Sequence, residues 1–232
     1  MQIHRAHVAE NRSLTPAVRH VSLRLVDAVP FSFRAGQFVQ FVLDETTLRQ
    51  YSIASVPRLL PVIELCADVS PGGRGSRFVE GLGVGDPVRF RGPFGVFTVP
   101  REESRPLEFV ATGAGIAPIR AMIGAWADQG DASSPGVRLT FGNRLLADIL
   151  YHEEWRSLAE RSPVFSYCPT LSNPPQAWSG ERGRVTEVLR RRTDLAGRAF
   201  FLCGAPAMVD DVRRVLRARG VPEENVHFEK FF

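Results

Sequence analysis

Several things are scarce in this chain, and each scarcity excludes a class of protein. Of its 232 residues only three are cysteine, at positions 66, 168 and 203. They are isolated, with no C-x-x-C and no iron–sulfur spacing, so single electrons leaving this chain must go to a centre outside it. No disulfide framework or metal site is expected. No run approaches the roughly 18 apolar residues of a membrane helix. The opening MQIHRAHVAENR has no apolar core of a signal peptide, so the sequence-level expectation is a cytoplasmic protein without a membrane partner. Lysine is almost missing: of 29 basic residues, Lys230 alone is not arginine. The arginines are scattered among 25 acidic residues, and the densest cluster is Arg190, Arg191 and Arg192. A nucleic-acid surface would be concentrated on one face, so no nucleic-acid partner is expected. A basic surface that meets an acidic electron-transfer partner fits the net charge of +4 better, and an ordinary solvated face fits it better still.

What is present points to two domains. Hydrophobic residues make up 44% of the chain, enough for buried cores. Up to about residue 100 the pattern is of short strands: 18–26, 38–43, 49–54, 62–67 and 88–91. Ala35-Gly36, Val56-Pro57, Pro71-Gly72-Gly73, Gly85-Asp86-Pro87 and Gly92-Pro93 punctuate them. Many short strands with Gly/Pro punctuation imply an antiparallel sandwich or barrel. After Arg105-Pro106 the rhythm changes. Strands are predicted at 107–111, 137–141, 164–167, 199–203 and 226–228. Helices are predicted at 116–126, 148–159, 184–191 and 207–219. That alternation implies a doubly wound parallel sheet. The expected division is 1–102 and 103–232, with 131–136 as a surface loop.

Several short motifs could carry chemistry. Arg49-Gln50-Tyr51-Ser52 lies on a predicted strand; alternation puts Arg49 and Tyr51 on one face, Gln50 and Ser52 on the other. An arginine can neutralise a phosphate and a tyrosine ring can stack on a flat heterocycle. Taken alone, the tetrapeptide also fits an ordinary strand. Gly72-Gly73-Arg74-Gly75-Ser76 is a glycine turn in which Ser76 is expected to cap the helix that follows, leaving backbone N–H groups for a phosphate. Gly92-Pro93-Phe94-Gly95 is a turn. Thr112-Gly113-Ala114-Gly115-Ile116-Ala117-Pro118 joins strand to helix, where backbone can approach a pyrophosphate. It lacks the third glycine of G-x-G-x-x-G, and Gly142-Asn143-Arg144 replaces the acid that usually ends the second strand. Cys203-Gly204-Ala205-Pro206-Ala207-Met208 follows a later strand and should face the same cleft. The chain ends Glu229-Lys230-Phe231-Phe232.

In this order the motifs resemble the ferredoxin–NADP reductase superfamily over nearly the whole chain. The resemblance implies a six-stranded antiparallel flavin-binding β-barrel followed by an α/β nucleotide-binding domain. It implies FAD, with FMN as the alternative, and NADH or NADPH as donor. Arg49 would bind the flavin phosphate or pyrophosphate, Gln50 would belong to the same cofactor-binding stretch, Tyr51 would pack on the isoalloxazine, and Ser52 would hydrogen-bond near its N5. Gly73, Arg74, Gly75 and Ser76 would hold phosphates. Thr112, Gly113 and Gly115 would meet the nicotinamide nucleotide, with Arg144 on its ribose or phosphate side. Cys203, Gly204, Pro206 and Met208 would flank the nicotinamide. Glu229 would relay a proton towards Ser52, and Phe231 or Phe232 would cover the flavin. The catalytic set is therefore Ser52, Cys203 and Glu229. Leu171-Ser172-Asn173-Pro174-Pro175 lacks the arginine that NADP-preferring members carry after the serine, which weighs towards NADH unless Arg144 or Arg182 compensates. Such a protein passes electrons to a separate redox protein, whether iron–sulfur protein, oxygenase or haem protein. Two other readings stay open. The 31–37 segment also resembles reductases that use free flavin as substrate, and the fold can serve a non-enzymatic regulatory subunit.

Overall fold

The structure, a computed structural model, describes residues 2–26, 30–130 and 136–231. The expected 131–136 loop, apart from Gly136, and the terminal Phe232 lie outside these residues. By contacts the chain forms two units, residues 1–99 with 117–129, and residues 100–116 with 130–232.

The first unit is a six-stranded antiparallel sheet: β1 (Ile3–Thr15), β2 (Val18–Leu25), β3 (Phe38–Val42), β4 (Leu48–Ser52), β5 (Val62–Asp68) and β6 (Pro87–Phe94). The spatial order is β4-β3-β6-β1-β2-β5. An antiparallel bridge between Ile53 and Leu65 joins the two ends, so the sheet closes as the expected barrel. Its interior is built by alternation. Val21 and Leu23, Val39 and Phe41, Ile63 and Leu65, and Val88 and Phe90 are all essentially buried. The 13-residue β1 has no counterpart among the predicted strands. His4, Ala6 and Val8 face in while Arg5 and His7 face out. A histidine and an alanine in the inward row hide the apolar signal. Helix α1 (Arg74–Gly81) lies between β5 and β6.

The unit also includes residues 117–129, nearly all of helix α2 (Ile116–Ala127). Ala117, Ile119, Ala121, Met122 and Ile123 are buried. Pro118 in the first turn costs nothing there, because its missing N–H would have had no helical acceptor.

The second unit is a parallel sheet of β7 (Leu107–Thr112), β8 (Val137–Asn143), β9 (Phe165–Leu171), β10 (Glu181–Arg182), β11 (Ala199–Gly204) and β12 (Val226–Lys230). The order is β10-β9-β8-β7-β11-β12. Strands run outward from β7 to β9 and the chain then returns to β7's other side, so the direction of winding switches between β7 and β11. In open α/β sheets the crevice at such a switch, at the strands' carboxyl ends, receives ligands. Helices α3 (His152–Arg161), α4 (Val185–Arg191) and α5 (Pro206–Ala218) complete the unit. α4 and α5 bury Val185, Leu189, Val209, Val212 and Leu216 with Val110, Phe200 and Leu202. Beneath them Glu108, fully buried on the central strand, accepts from Thr140 Oγ1 at 2.9 Å and from Arg192 at 2.7 Å. The two-residue β10 is too short to leave a sequence pattern.

Candidate functional site

In the first unit the R-x-Y-S strand meets the start of α1. Alternation on β4 sends Arg49 and Tyr51 to the face shared with Phe41 and Val39, their cross-strand partners. The Tyr51 ring centroid lies 4.9 Å from that of Phe41, and burial pushes the phenol's pKa up to about 12. A Cβ placed on Gly75 would lie 2.9 Å from both Arg49 Cγ and the Tyr51 hydroxyl. Glycine is therefore what lets the α1 backbone approach this strand. α1 begins at Arg74 with Gly73 as N-cap, and no side chain caps it. The expectation for Ser76 is corrected here. It is buried inside the first turn rather than capping from outside, because Gly73 already holds the extended N-cap backbone. The uncapped first-turn amides, beside Arg49, make a cradle for an anionic tail. Arg74 lies away from that role, bound to Asp44 and to Thr47 Oγ1. Asp44 is held well below the usual carboxylate range, first by the Thr46 backbone N–H. Ser52 is buried at the strand's end and Gln50 is exposed opposite Gln40.

In the second unit the two motif turns meet at the switch point. Gly113 has φ +53°, and Gly115 packs so tightly that a Cβ would lie 2.4 Å from the Cys203 carbonyl oxygen. Gly204, at φ +148°, has space for no side chain between Thr112 Oγ1 and Met208 Cε. Thr112, Gly115, Cys203, Gly204 and Met208 thus form one cluster. Pro206 is the first residue of α5, and no side chain caps that helix either. The tail joins the cluster: Glu229 pairs with Cys203 along β12, and the Phe231 N–H donates to the Gly204 carbonyl at 2.9 Å. Cys203 is fully buried; burial, then the Glu229 carboxylate, pushes its thiol well above the usual range. A thiol so placed stays protonated near neutral pH.

A groove of about 780 Å³ opens beyond β8 and β9, lined by Arg144, Ser172, Asn173, Gly183, Arg184 and Glu187. It is polar, and Arg144 lies in it as the sequence suggests. Arg182 is occupied elsewhere, donating to the carbonyls of Pro175, Gln176 and Trp178. Sequence reasoning missed Arg184 and Glu187; both lie in a helix start that carries no motif.

Two family models match. One, described as an oxidoreductase FAD-binding domain, covers residues 5–99; the other, an oxidoreductase NAD-binding domain, covers residues 109–214. The chain belongs to the ferredoxin–NADP reductase superfamily. It is an NAD(P)H-dependent flavin oxidoreductase with FAD as its flavin, and both glycine-lined cradles fit those groups. It is 37% identical to ferredoxin–NADP reductase B of Sorangium cellulosum over 97% of this chain and 96% of that one. It is 32% identical to the propane 2-monooxygenase reductase component of Rhodococcus jostii, over 91% of this chain but only 59% of that protein. The crystal structure of the Amycolatopsis cytochrome P450 reductase GcoB superposes with a TM-score of 0.88 at 31% identity, covering 99% of this chain and 70% of that one. No helix among the described residues is long and apolar enough to cross a membrane.

Proposed function

We propose that this chain reduces a separate ferredoxin-type iron–sulfur protein in the cytoplasm, with residues 1–102 binding FAD and 103–232 binding NAD(P)H. FAD, when bound, would supply the redox chemistry that links NAD(P)H to the acceptor. The observation that carries the reading is the clustering of Thr112, Gly115, Cys203 and Gly204 at the switch point, where a nicotinamide nucleotide is received at strand ends. The acceptor is inferred from the Sorangium relative, which matches this chain over almost its whole length.

The chain's own residues would bind and orient. Arg49 and the amides of Gly73, Arg74, Gly75 and Ser76 hold the flavin's phosphates. Gln50 lies along them, Tyr51 packs on the ring, and the Ser52 hydroxyl hydrogen-bonds it. Thr112, Gly113 and Gly115 bring backbone to the nucleotide, and Arg144 takes its ribose or phosphate side. Cys203, Gly204, Pro206 and Met208 border the nicotinamide. Glu229 would handle the proton, and Phe231 would cover the flavin. Arg184 beside Arg144 supports a phosphate at the groove, while Glu187 opposes it, so the nucleotide preference is a matter for direct comparison.

The test is the visible spectrum of the purified protein, followed by anaerobic NADH or NADPH and then a ferredoxin. Flavin bands that bleach on adding nucleotide and recover on adding oxidised ferredoxin are expected. A colourless protein that oxidises NAD(P)H only with free flavin would overturn the reading in favour of a flavin reductase.

A further inference from the structure

Helix α2 belongs to the NAD-binding family match by sequence, yet by contacts its residues from Ala117 onward belong with the barrel. One side chain of this segment makes two polar contacts within that unit. Arg120 Nη1 donates to the Glu64 carboxylate at 2.6 Å and to the Ala54 carbonyl at 2.9 Å. The pair is largely shielded, with side-chain exposures of 17% and 21%, so water screens it less than a surface pair. Both acceptors matter. Ala54 lies two residues beyond Ser52 on the same strand exit, and its own N–H donates to the Glu64 backbone carbonyl at 2.7 Å. Glu64 N–H in turn donates to Ser55 Oγ at 3.0 Å. Arg120 therefore clamps the end of the R-x-Y-S strand, and it does so from the second turn of the helix that the Thr112–Gly115 turn opens into.

The geometry points to Arg120 and Glu64 as a positioning pair for hydride transfer: their contact fixes the first turn of α2 and, through the chain, the glycine turn before it. This rests on the assignment of that turn to the nicotinamide nucleotide. Neither residue touches a reacting group. Their effect is on how firmly the turn holds the nucleotide, to which transfer is steep: a misplacement of about 1 Å can cost on the order of 10²-fold. A second ion pair, Arg58–Asp128 at 2.6 Å, ties the far end of the same helix segment to the barrel. It lies away from the turn and Arg58 is 64% exposed, so it serves as the control.

The test uses the flavin-loaded full chain as wild type, Arg120→Gln, Glu64→Gln, the double variant and Arg58→Gln. Four quantities are read: flavin content, melting midpoint, amide exchange over residues 112–121 without nucleotide, and the flavin bleaching rate at saturating NAD(P)H. Arg120→Gln and Glu64→Gln are expected to keep their flavin, exchange faster over 112–121 and bleach about tenfold more slowly. The double variant should be no slower than the slower single variant, since the two side chains act as one unit. Arg58→Gln should match wild type. Unchanged exchange and unchanged rate in both single variants overturn the proposal. So does equal slowing by Arg58→Gln, or slowing that only follows loss of flavin and of melting midpoint. If the wild type itself is not bleached by either nucleotide, the functional reading fails, and the exchange measurement still decides whether the pair holds the turn.

Discussion

At the scale of single residues, neighbouring motif positions do different work because alternation sends them to different faces. Tyr51 sits with Arg49 over the α1 start, while Ser52 ends the strand in a buried position. Tyr51→Ala removes a ring and should weaken flavin retention about tenfold, in line with the energy of an aromatic contact. Ser52→Ala should leave flavin content near normal and slow flavin reduction by roughly 10²-fold, the scale of one well-placed proton-handling group. Absorbance per mole of protein and anaerobic stopped flow separate the two effects. Normal content and normal rates in both variants would mean that the flavin lies elsewhere. The cysteines give an independent check. Burial raises Cys168 to about 11 and pushes Cys203 well above the usual range. At pH 8 native Cys168 should react with iodoacetamide roughly 10²-fold more slowly than a free thiol, since only the thiolate attacks. Cys203 should not react until the chain is unfolded. Peptide mass spectrometry reads both, and rapid native labelling of Cys203 would contradict its burial.

At the scale of elements, two glycines at two helix starts face different neighbours. A methyl on Gly115 would meet backbone, at 2.4 Å from the Cys203 oxygen and 2.7 Å from Gly204 Cα, and neither strand end can step aside. Gly115→Ala should cost about 1–3 kcal/mol in urea unfolding and raise the KM for NAD(P)H. A methyl on Gly75 would meet the Arg49 stem and the Tyr51 hydroxyl at 2.9 Å. The Arg49 stem can move, so Gly75→Ala should lose flavin while its unfolding midpoint stays close to wild type. A larger stability loss at Gly75 than at Gly115 would reverse this account. The same elements show what the sequence makes legible. Strands with a clean apolar row, such as β2 and β5, and the amphipathic α5 fall within a few residues of where their patterns put them. The glycine turns before α1, α2 and α5 also read correctly, because glycine is demanded there by backbone geometry that sequence spacing encodes, whereas Gly92-Pro93-Phe94, read as a turn, continues β6 to pair with Phe38. β1 is illegible because His4 and Ala6 fill inward positions, and α1 starts early because the N-cap is a glycine without a polar side chain. Arg120 and Glu64 lie 56 residues apart, so no local pattern reveals that they meet.

At the scale of the whole molecule, the titrating groups decide how stability varies with pH. Burial lowers His20, His152 and His227 below the usual 6.5. Their folded pKa values lie under the unfolded ones, so the unfolded chain takes up more protons as pH falls. The stability they contribute is present above about 6.5 and is lost on acidification. Asp194, held at about 2 chiefly by the hydrogen bond from Arg192, behaves alike from about pH 4 downward. Asp44, Glu103, Asp210 and Glu223 are lowered by hydrogen bonds in the same sense. Glu108 runs the other way: burial raises its carboxyl, so its share falls as pH rises above about 4.5, although Arg192 at 2.7 Å opposes that push. Below neutral pH Glu108 stands against three histidines and five carboxylates, while the raised Cys168, Cys203, Tyr51 and Tyr167 act only in alkali, so acid is the destabilising direction from neutrality. Urea midpoints should be level from about pH 7 to 8, decline below about 6.5, and drop more steeply below about 4 as the ion-paired carboxylates protonate. His20→Gln should flatten the upper step and leave the lower one. A midpoint that climbs steadily on acidification from pH 7 to 5 would show that Glu108 outweighs the histidines and that its pair with Arg192 is the weaker influence on that carboxyl.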